Sequence, residues 1–387
     1  MNTTIDELRA RLERHLGFLA QDADNLRLIG EVADLHLQLG EIEQARDLLE
    51  NALTRWPSHP TLLSGLANAA MASNEPTLAI RLLQNLLAAG QHAPVIHYNL
   101  AYAYLYAGQA DNAKQELLKI TAATEELPQI FLLLARAQHH LGEMDDAIRH
   151  AQSYLEKYPD DAEGLGILAL LYLDSENYDA ARSIAEKALR TKQDNLYALI
   201  TLGSLALQAQ DIKEAGEYFD KTITHHPTSG RGWAGMGLTN MLRRDVDKAT
   251  DDLKLAVTYM PDHIGTWHAL AWCQLLKNDL ADAEESFNRS MEIDRNFGET
   301  HGGLAVVHIL QNRSELAEPE IKRALRLNPQ SFAGRFAQSL IAGKTDPQKT
   351  QAMIQDILAS SPSAGGESLQ TSLQRIMTRR PPSSGND

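Results

Sequence analysis

Residues 233–261 read WAGMGLTNMLRRDVDKATDDLKLAVTYMP. Trp233, Met236 and Gly237 fall on one face of a helix, spaced i, i+3, i+4. Ala249 and Leu253, four apart, mark a second apolar face. Pro261 then stops the second run, because proline lacks the N–H that a helix interior needs. The stretch predicts two helices whose small residues, Gly237 and Ala249, let them approach closely.

The pattern extends in both directions with a fixed period. Ala45, Ala79, Ala113, Ala147, Ala181, Ala215, Ala249, Ala283 and Ala317 recur every 34 residues without an insertion. Twelve residues earlier every position is Ala or Gly, from Ala33 through Gly203 and Gly237 to Ala305. Four residues later the column is wholly apolar, from Leu49 through Phe219 and Phe287 to Ile321. Proline closes five periods, at Pro57, Pro159, Pro227, Pro261 and Pro329. Turn signals such as 39–41 (LGE), 107–109 (AGQ) and 141–143 (LGE) separate the first helix of a period from the second. A fixed period of this length is the mark of stacked supersecondary units, each unable to bury its apolar face alone.

With Trp233-x-x-Met236-Gly237, Ala249-x-x-x-Leu253 and Pro261, and with Trp267-x-x-Leu270-Ala271 and Ala283-x-x-x-Phe287, the sequence resembles the tetratricopeptide repeat family. The resemblance covers about residues 26–329, nine units. Only units seven and eight carry the tryptophan, and the tyrosine expected three residues after the small residue occurs only at Tyr104 and Tyr172. The resemblance implies an all-α, right-handed superhelical α-solenoid of antiparallel helix pairs. Its concave groove would be lined mainly by first helices and would hold a protein or peptide.

The expected organisation has four parts: residues 1–25 as an N-terminal capping helix, 26–329 as nine tandem repeats, 330–361 as a degenerate tenth unit, and 362–387 as a tail. The cap would use Leu8, Leu12, Leu16 and Leu19, at helical spacing, to cover the first unit. In the tenth unit SFAGRFAQSLIAG forms the first helix, and Asp346-Pro347 opens the second as N-cap and first helical position. Residues 360–367 (SSPSAGGE) read as a linker and the closing PPSSGND as disordered. The segment 368–380 between them places Leu369, Leu373, Ile376 and Met377 on one face. It is either a docking segment, for a partner or for this chain's own groove, or a frayed tail.

Composition limits the function. Of 387 residues 43% are hydrophobic and only 6% aromatic, a helical economy. The net charge of −15 argues against nucleic acid as the partner, since phosphate binding needs clustered Lys and Arg. No run of about 18 apolar residues occurs, so no membrane span is expected, and the N-terminus lacks a secretory h-region. A cytoplasmic setting is the resulting expectation. The single cysteine, Cys273, excludes an internal disulfide framework and reads as a small buried hydrophobe.

No enzymatic motif stands in its required context, and no cofactor or metal is expected. Gly230, Gly232 and Gly235 spell G-x-G-x-x-G, but they follow a helix and His-Pro instead of a strand, so a dinucleotide site lacks its context. Of fourteen histidines, the neighbours His139-His140 and His225-His226 point in different directions with no H-E-x-x-H, and the trio His268, His301 and His308 has no carboxylate placed as ligand. There is no Walker loop and no nucleophile elbow. Paired acids such as Asp145-Asp146 suit helix starts without any catalytic role.

Function is therefore sought where the units differ. Positions fifteen, eleven and seven before each period alanine form one stripe per first helix, beginning Gly30, Asp34, Gln38. Two zones stand out. The first is the ladder Tyr98-Tyr102-Tyr106, flanked by Asn68, Asn99, Arg136 and His140. Tyr and Arg dominate binding hot spots; packing between units is the bland alternative. The second is apolar: Leu238, Leu242, Trp272, Leu276, Val306 and Leu310, with His268 on the same stripe and Met241, Leu275 and Ile309 beside it. An exposed apolar patch marks an interaction surface and would suit an amphipathic helix. Burial by the stack, or cover by residues 368–380, is the alternative. Asn68 and Asn99 also fall where two asparagines of the family's carboxylate clamp would stand, but the basic positions hold Ser64, Gln129 and Leu133, so that activity is not expected. Self-association into an array, and service as a specificity subunit or chaperone for an enzyme encoded elsewhere, are the remaining readings.

Overall fold

The computed structural model describes residues 5–343. The helix expected from Asp346-Pro347, the linker, the segment 368–380 and the closing tail lie outside the described residues. Among the described residues there are twenty α-helices and no strand, an all-α repeat fold. The chain divides into two compact units after Glu176, between the two helices of the fifth period.

The first unit opens with α1 (Ile5–Gln21). The pairs α2 (Leu26–Gln38) and α3 (Ile42–Arg55), α4 (Pro60–Ala72) and α5 (Pro76–Ala88), α6 (Pro94–Tyr106) and α7 (Ala110–Leu118), and α8 (Gln129–His140) and α9 (Met144–Lys157) follow, and α10 (Ala162–Asp174) ends the unit. Leu12 of α1 is buried against Val32 and Leu35, with Leu8 and Leu19 packed beside it. Leu16, expected to share that seam, is exposed, since it lies to one side of the buried face.

The second unit holds α11 (Tyr178–Thr191), then the pairs α12 (Leu196–Gln208) and α13 (Ile212–His225), α14 (Gly230–Leu242) and α15 (Val246–Tyr259), α16 (Ile264–Leu276) and α17 (Leu280–Ile293), and α18 (Gly298–Leu310) and α19 (Ser314–Leu327). The last described helix is α20 (Phe332–Gly343).

The alanine period is a packing device. All nine alanines are 0% exposed, and the Ala/Gly column twelve residues earlier is equally buried. A methyl group there is the largest side chain that the two helices leave room for. The apolar column four residues after each alanine meshes with a position sixteen residues further on, in the next first helix. In most of these pairs the sizes run in opposition, Leu83 with Asn99 and Leu117 with Leu133 being the exceptions. Leu49 meets Gly65, whose added Cβ would lie 3.2 Å from a leucine methyl. Phe219 and Phe287 meet Gly235 and Gly303, where a Cβ would collide with the ring. The same offset pairs Ala151 with Ile167, Ala185 with Thr201 and Leu253 with Ala269. Native packing density demands such matching.

This accounts for the G-x-G-x-x-G stretch. Ser229 caps α14 by accepting from the Gly232 N–H at 3.1 Å. A Cβ on Gly230 would sit 2.6 Å from Met260 Cβ, one on Gly232 would sit 2.7 Å from Thr222 Cγ2, and Gly235 holds the Phe219 ring. All three are buried helix-packing positions, with no open cradle for a phosphate.

The turns inside each pair share one conformation. Gly40, Asn74, Gly108, Gly142, Glu176, Gln210, Arg244, Asn278 and Asn312, each five residues before a period alanine, have φ between 58 and 75°. This left-handed residue lets the next N–H close the helix end, as when Asp245 donates to the Asn240 carbonyl at 2.9 Å. The region costs a non-glycine residue about 1–2 kcal/mol, partly offset by the freedom glycine loses on folding. Arg244 is exposed. Arg244→Gly is therefore expected to raise stability by about 0.5–1 kcal/mol, read as a higher urea midpoint; a lower midpoint contradicts the assignment.

Candidate functional site

Successive first helices in the first unit bring the tyrosine zone together. Asn68 on α4 and Tyr98, Asn99 and Tyr102 on α6 line one groove of about 280 Å3. Ala67, Met71 and Leu83 complete its wall. Tyr98 is half-buried, and its phenol is pushed up, first by burial and then by the charge of Glu163, against the opposing pull of Arg136. Tyr102 is 37% exposed and stacks on Tyr106, with ring centroids 6.3 Å apart. Arg136 on α8 lies over the Tyr102 ring, its guanidinium carbon 5.9 Å from the centroid. Tyr104, in contrast, is buried and its hydroxyl accepts from Gln84 at 2.7 Å.

Tyr106 and His140 lie on the exposed ends of α6 and α8, outside the groove wall. His140 tilts against His139, which in turn reaches Asp174 at 2.7 Å. Met71 and Leu83 were not singled out from the sequence. Leu83 belongs to the apolar column four residues after the period alanine, so its dual use had no separate signal.

The apolar zone of the second unit is corrected in part. Val306 is only 2% exposed and belongs to the core with Ala305, Ile309 and Ala337. Gly302 explains this: a Cβ there would collide with the backbone of Ala333 and Gly334, so α18 and α20 pack backbone to backbone. Trp272 is half-buried among Phe287, Phe332 and Phe336, at centroid distances of 6.1, 6.2 and 6.4 Å. Helix α20 thus packs against Trp272 and Val306, two of the six residues of the expected patch. Leu238, Leu276 and Leu310 remain exposed, Leu276 at 69%, and Leu242 is intermediate.

His268 is likewise a packed residue instead of a contact residue. Its Nε2 lies 2.8 Å from Thr300 Oγ1, and Phe287 and Phe297 present edges to its ring. Burial pushes its pKa down to about 4. A histidine protonated more readily when unfolded stabilises the fold fully above its ordinary pKa and loses that contribution as pH falls from about 6.5 toward 4. His268→Asn is therefore expected to remove about 2 kcal/mol from the stability difference between pH 7.5 and pH 5, measured by urea unfolding at both; an unchanged difference refutes the assignment.

His301 is also structural, 1% exposed. Its Nδ1 is 2.5 Å from Glu320 Oε2 and its Nε2 is 2.9 Å from the Arg295 carbonyl. Trp233 and Trp267, at the equivalent positions, donate to Pro227 and Pro261 carbonyls six residues back, at 2.7 and 2.6 Å. This position fastens the loop between periods. Among the described residues no group of three or more His, Cys, Asp or Glu is arranged to hold a metal ion. Cys273 is buried, its thiol pushed up to about 11 by burial. No described helix is long and apolar enough to cross a membrane.

The geometry defines an all-α repeat protein in which the periodic columns build the scaffold. Models of the tetratricopeptide repeat match residues 36–92, 98–162, 168–230 and 264–297, together more than half of the chain. The chain belongs to the tetratricopeptide repeat family, whose fold serves protein–protein interaction. No curated protein matches the sequence. A chain in the crystal structure of the APC/C hetero-tetramer Cut9–Hcn1 is similar, at 16% identity and a TM-score of 0.61. The match covers 83% of this chain and 64% of that one, so this chain spans less than two thirds of that protein's length. The human IFIT1 dimer with m7Gppp-AAAA is similar at 14% identity and a TM-score of 0.57, covering 97% of this chain and 93% of that one. At such identities the likeness is one of fold.

Proposed function

We propose that this protein is a non-enzymatic adaptor that holds a segment of a partner polypeptide against its first helices, at Asn68, Tyr98, Asn99 and Tyr102. The groove that these four residues line is the observation that carries the reading. It combines rigid aromatic surface with amide groups that match a peptide backbone. Arg136 extends it over Tyr102, and Tyr106 and His140 stand at its rim. Leu238, Leu242, Leu276 and Leu310 form a second, smaller contact surface in the other unit.

Adaptors of this kind assist assembly of multiprotein machines in the cytoplasm, secretion and envelope systems among them, and that is the role proposed. Human IFIT1 is solved with m7Gppp-AAAA. The net charge of −15 of this chain favours a polypeptide instead. The test is affinity capture from the native host with the intact chain and with Asn68→Ala/Asn99→Ala. The proposal expects a protein retained by the first and lost from the second; equal retention by both sinks it. Mass measured against concentration addresses self-association, which predicts growth with concentration where the adaptor reading predicts none.

A further inference from the structure

Four residues occupy the same place in four successive first helices of the first unit, eleven before the period alanine: Asp34, Asn68, Tyr102 and Arg136. They run acid, amide, aromatic, base. Asp34 is exposed, and its pKa is raised by the protein's partial screening of water and by the like charge of Glu31. Glu31 is itself engaged by Arg27 at 3.0 Å, whereas no cation among the described residues lies within 4.0 Å of the Asp34 carboxylate. Arg136 has its guanidinium on the Tyr102 ring, and no carboxylate among the described residues lies within 4.0 Å of it. Other charges of the unit are paired, among them Arg46 with Glu75 at 2.6 Å and Lys114 with Glu143 at 2.6 Å. Two unpaired charges of opposite sign therefore bracket the groove.

We propose, resting on the adaptor reading above, that the groove selects an extended polypeptide with a bulky apolar side chain set between a basic residue for Asp34 and an acidic residue for Arg136. The apolar side chain seats against Met71, Leu83 and Tyr98. Asn68 and Asn99 each offer a donor and an acceptor to the backbone on either side. Neighbouring helix axes stand about 8–10 Å apart and an extended chain rises about 3.3 Å per residue, so one helix step is about three residues. The basic residue falls about three to five positions from the apolar one, on the α2 side. The acidic residue falls about three positions away on the α8 side. Each charge would gain a partner, and a segment carrying one sign on both sides would meet repulsion at one end.

The test is selection from a phage-displayed library of random dodecapeptides on the full chain, repeated on Tyr102→Ala, Arg136→Glu and Asp34→Lys. Enriched sequences are expected to carry the basic–apolar–acidic pattern in either chain direction and to vanish on Tyr102→Ala. Arg136→Glu is expected to enrich sequences basic on both sides, and Asp34→Lys sequences acidic on both sides. A resynthesised mixed-charge peptide should bind each charge-reversal variant about tenfold more weakly. Enrichment that depends on Tyr102 but shows no charge pattern overturns the inference and leaves the adaptor reading standing. Enrichment independent of Tyr102 overturns both. Sequences recovered only after truncation beyond residue 361 would assign the groove to this chain's own tail and overturn the partner proposed here.

Discussion

Phe219→Ala is expected to destabilise the second unit by about 3–5 kcal/mol, and Gly235→Ala by about 1–3 kcal/mol. Phe219 is 1% exposed and its ring is wedged against Gly203 and Gly235. Removing the ring leaves a cavity that two glycines cannot fill. Adding a methyl group at Gly235 drives it into ring atoms held rigidly between two helices. The combination Phe219→Leu/Gly235→Ala reproduces the pair found one period later, where Leu253 and Ala269 share a cluster with Ala249 and Cys273. It should therefore be markedly more stable than Gly235→Ala alone. Urea unfolding of the two single variants and the double gives the coupling, expected to be at least about 1 kcal/mol in favour of the double. Additive effects would show that the two columns do not mesh.

Tyr102→Ala carries the largest functional expectation: loss of partner capture by roughly 30-fold or more, with helical circular dichroism unchanged. The side chain is more than a third exposed, so its removal leaves little cavity. It joins the groove wall, the Tyr106 ring and the Arg136 guanidinium, so its loss dismantles the aromatic surface from the centre. Tyr178→Ala, equally exposed on the other unit, serves as the control and should capture normally. Capture undiminished by Tyr102→Ala would remove the basis for placing the partner on this face.

The backbone architecture was open to a reading of the sequence because its cause is repetitive. A buried alanine every 34 residues has one physical source, two helices crossing closely, and nine copies in register leave no competing fold. The turns were legible only where glycine marked them. Glu176, Gln210 and Arg244 adopt the same left-handed geometry without a residue type that announces it. The tyrosine zone could be found because a stripe rule needs only helical geometry, and Asn68, Tyr98, Asn99 and Tyr102 do converge. The rule failed at His268 because Phe287, Phe297 and Thr300 enclose its ring, and at Val306 and Trp272 for a different reason. It treats every first helix as open, whereas α20, with Phe332 and Phe336, closes over its neighbours where Gly302 lets two backbones touch. The phenylalanines four apart in a degenerate tenth unit were the available hint.

The opposed sizes sixteen residues apart restrict how this gene can change length. An in-frame loss of residues 235–268 would keep the rhythm intact yet bring Ala269 to the place of Gly235, forcing a methyl group into Phe219. Loss of residues 201–234 would instead set Gly235 opposite Ala185 and leave a hollow. Recombination within such a chain succeeds only where the junction preserves neighbours of complementary volume, so modules that look interchangeable on paper are inherited in order.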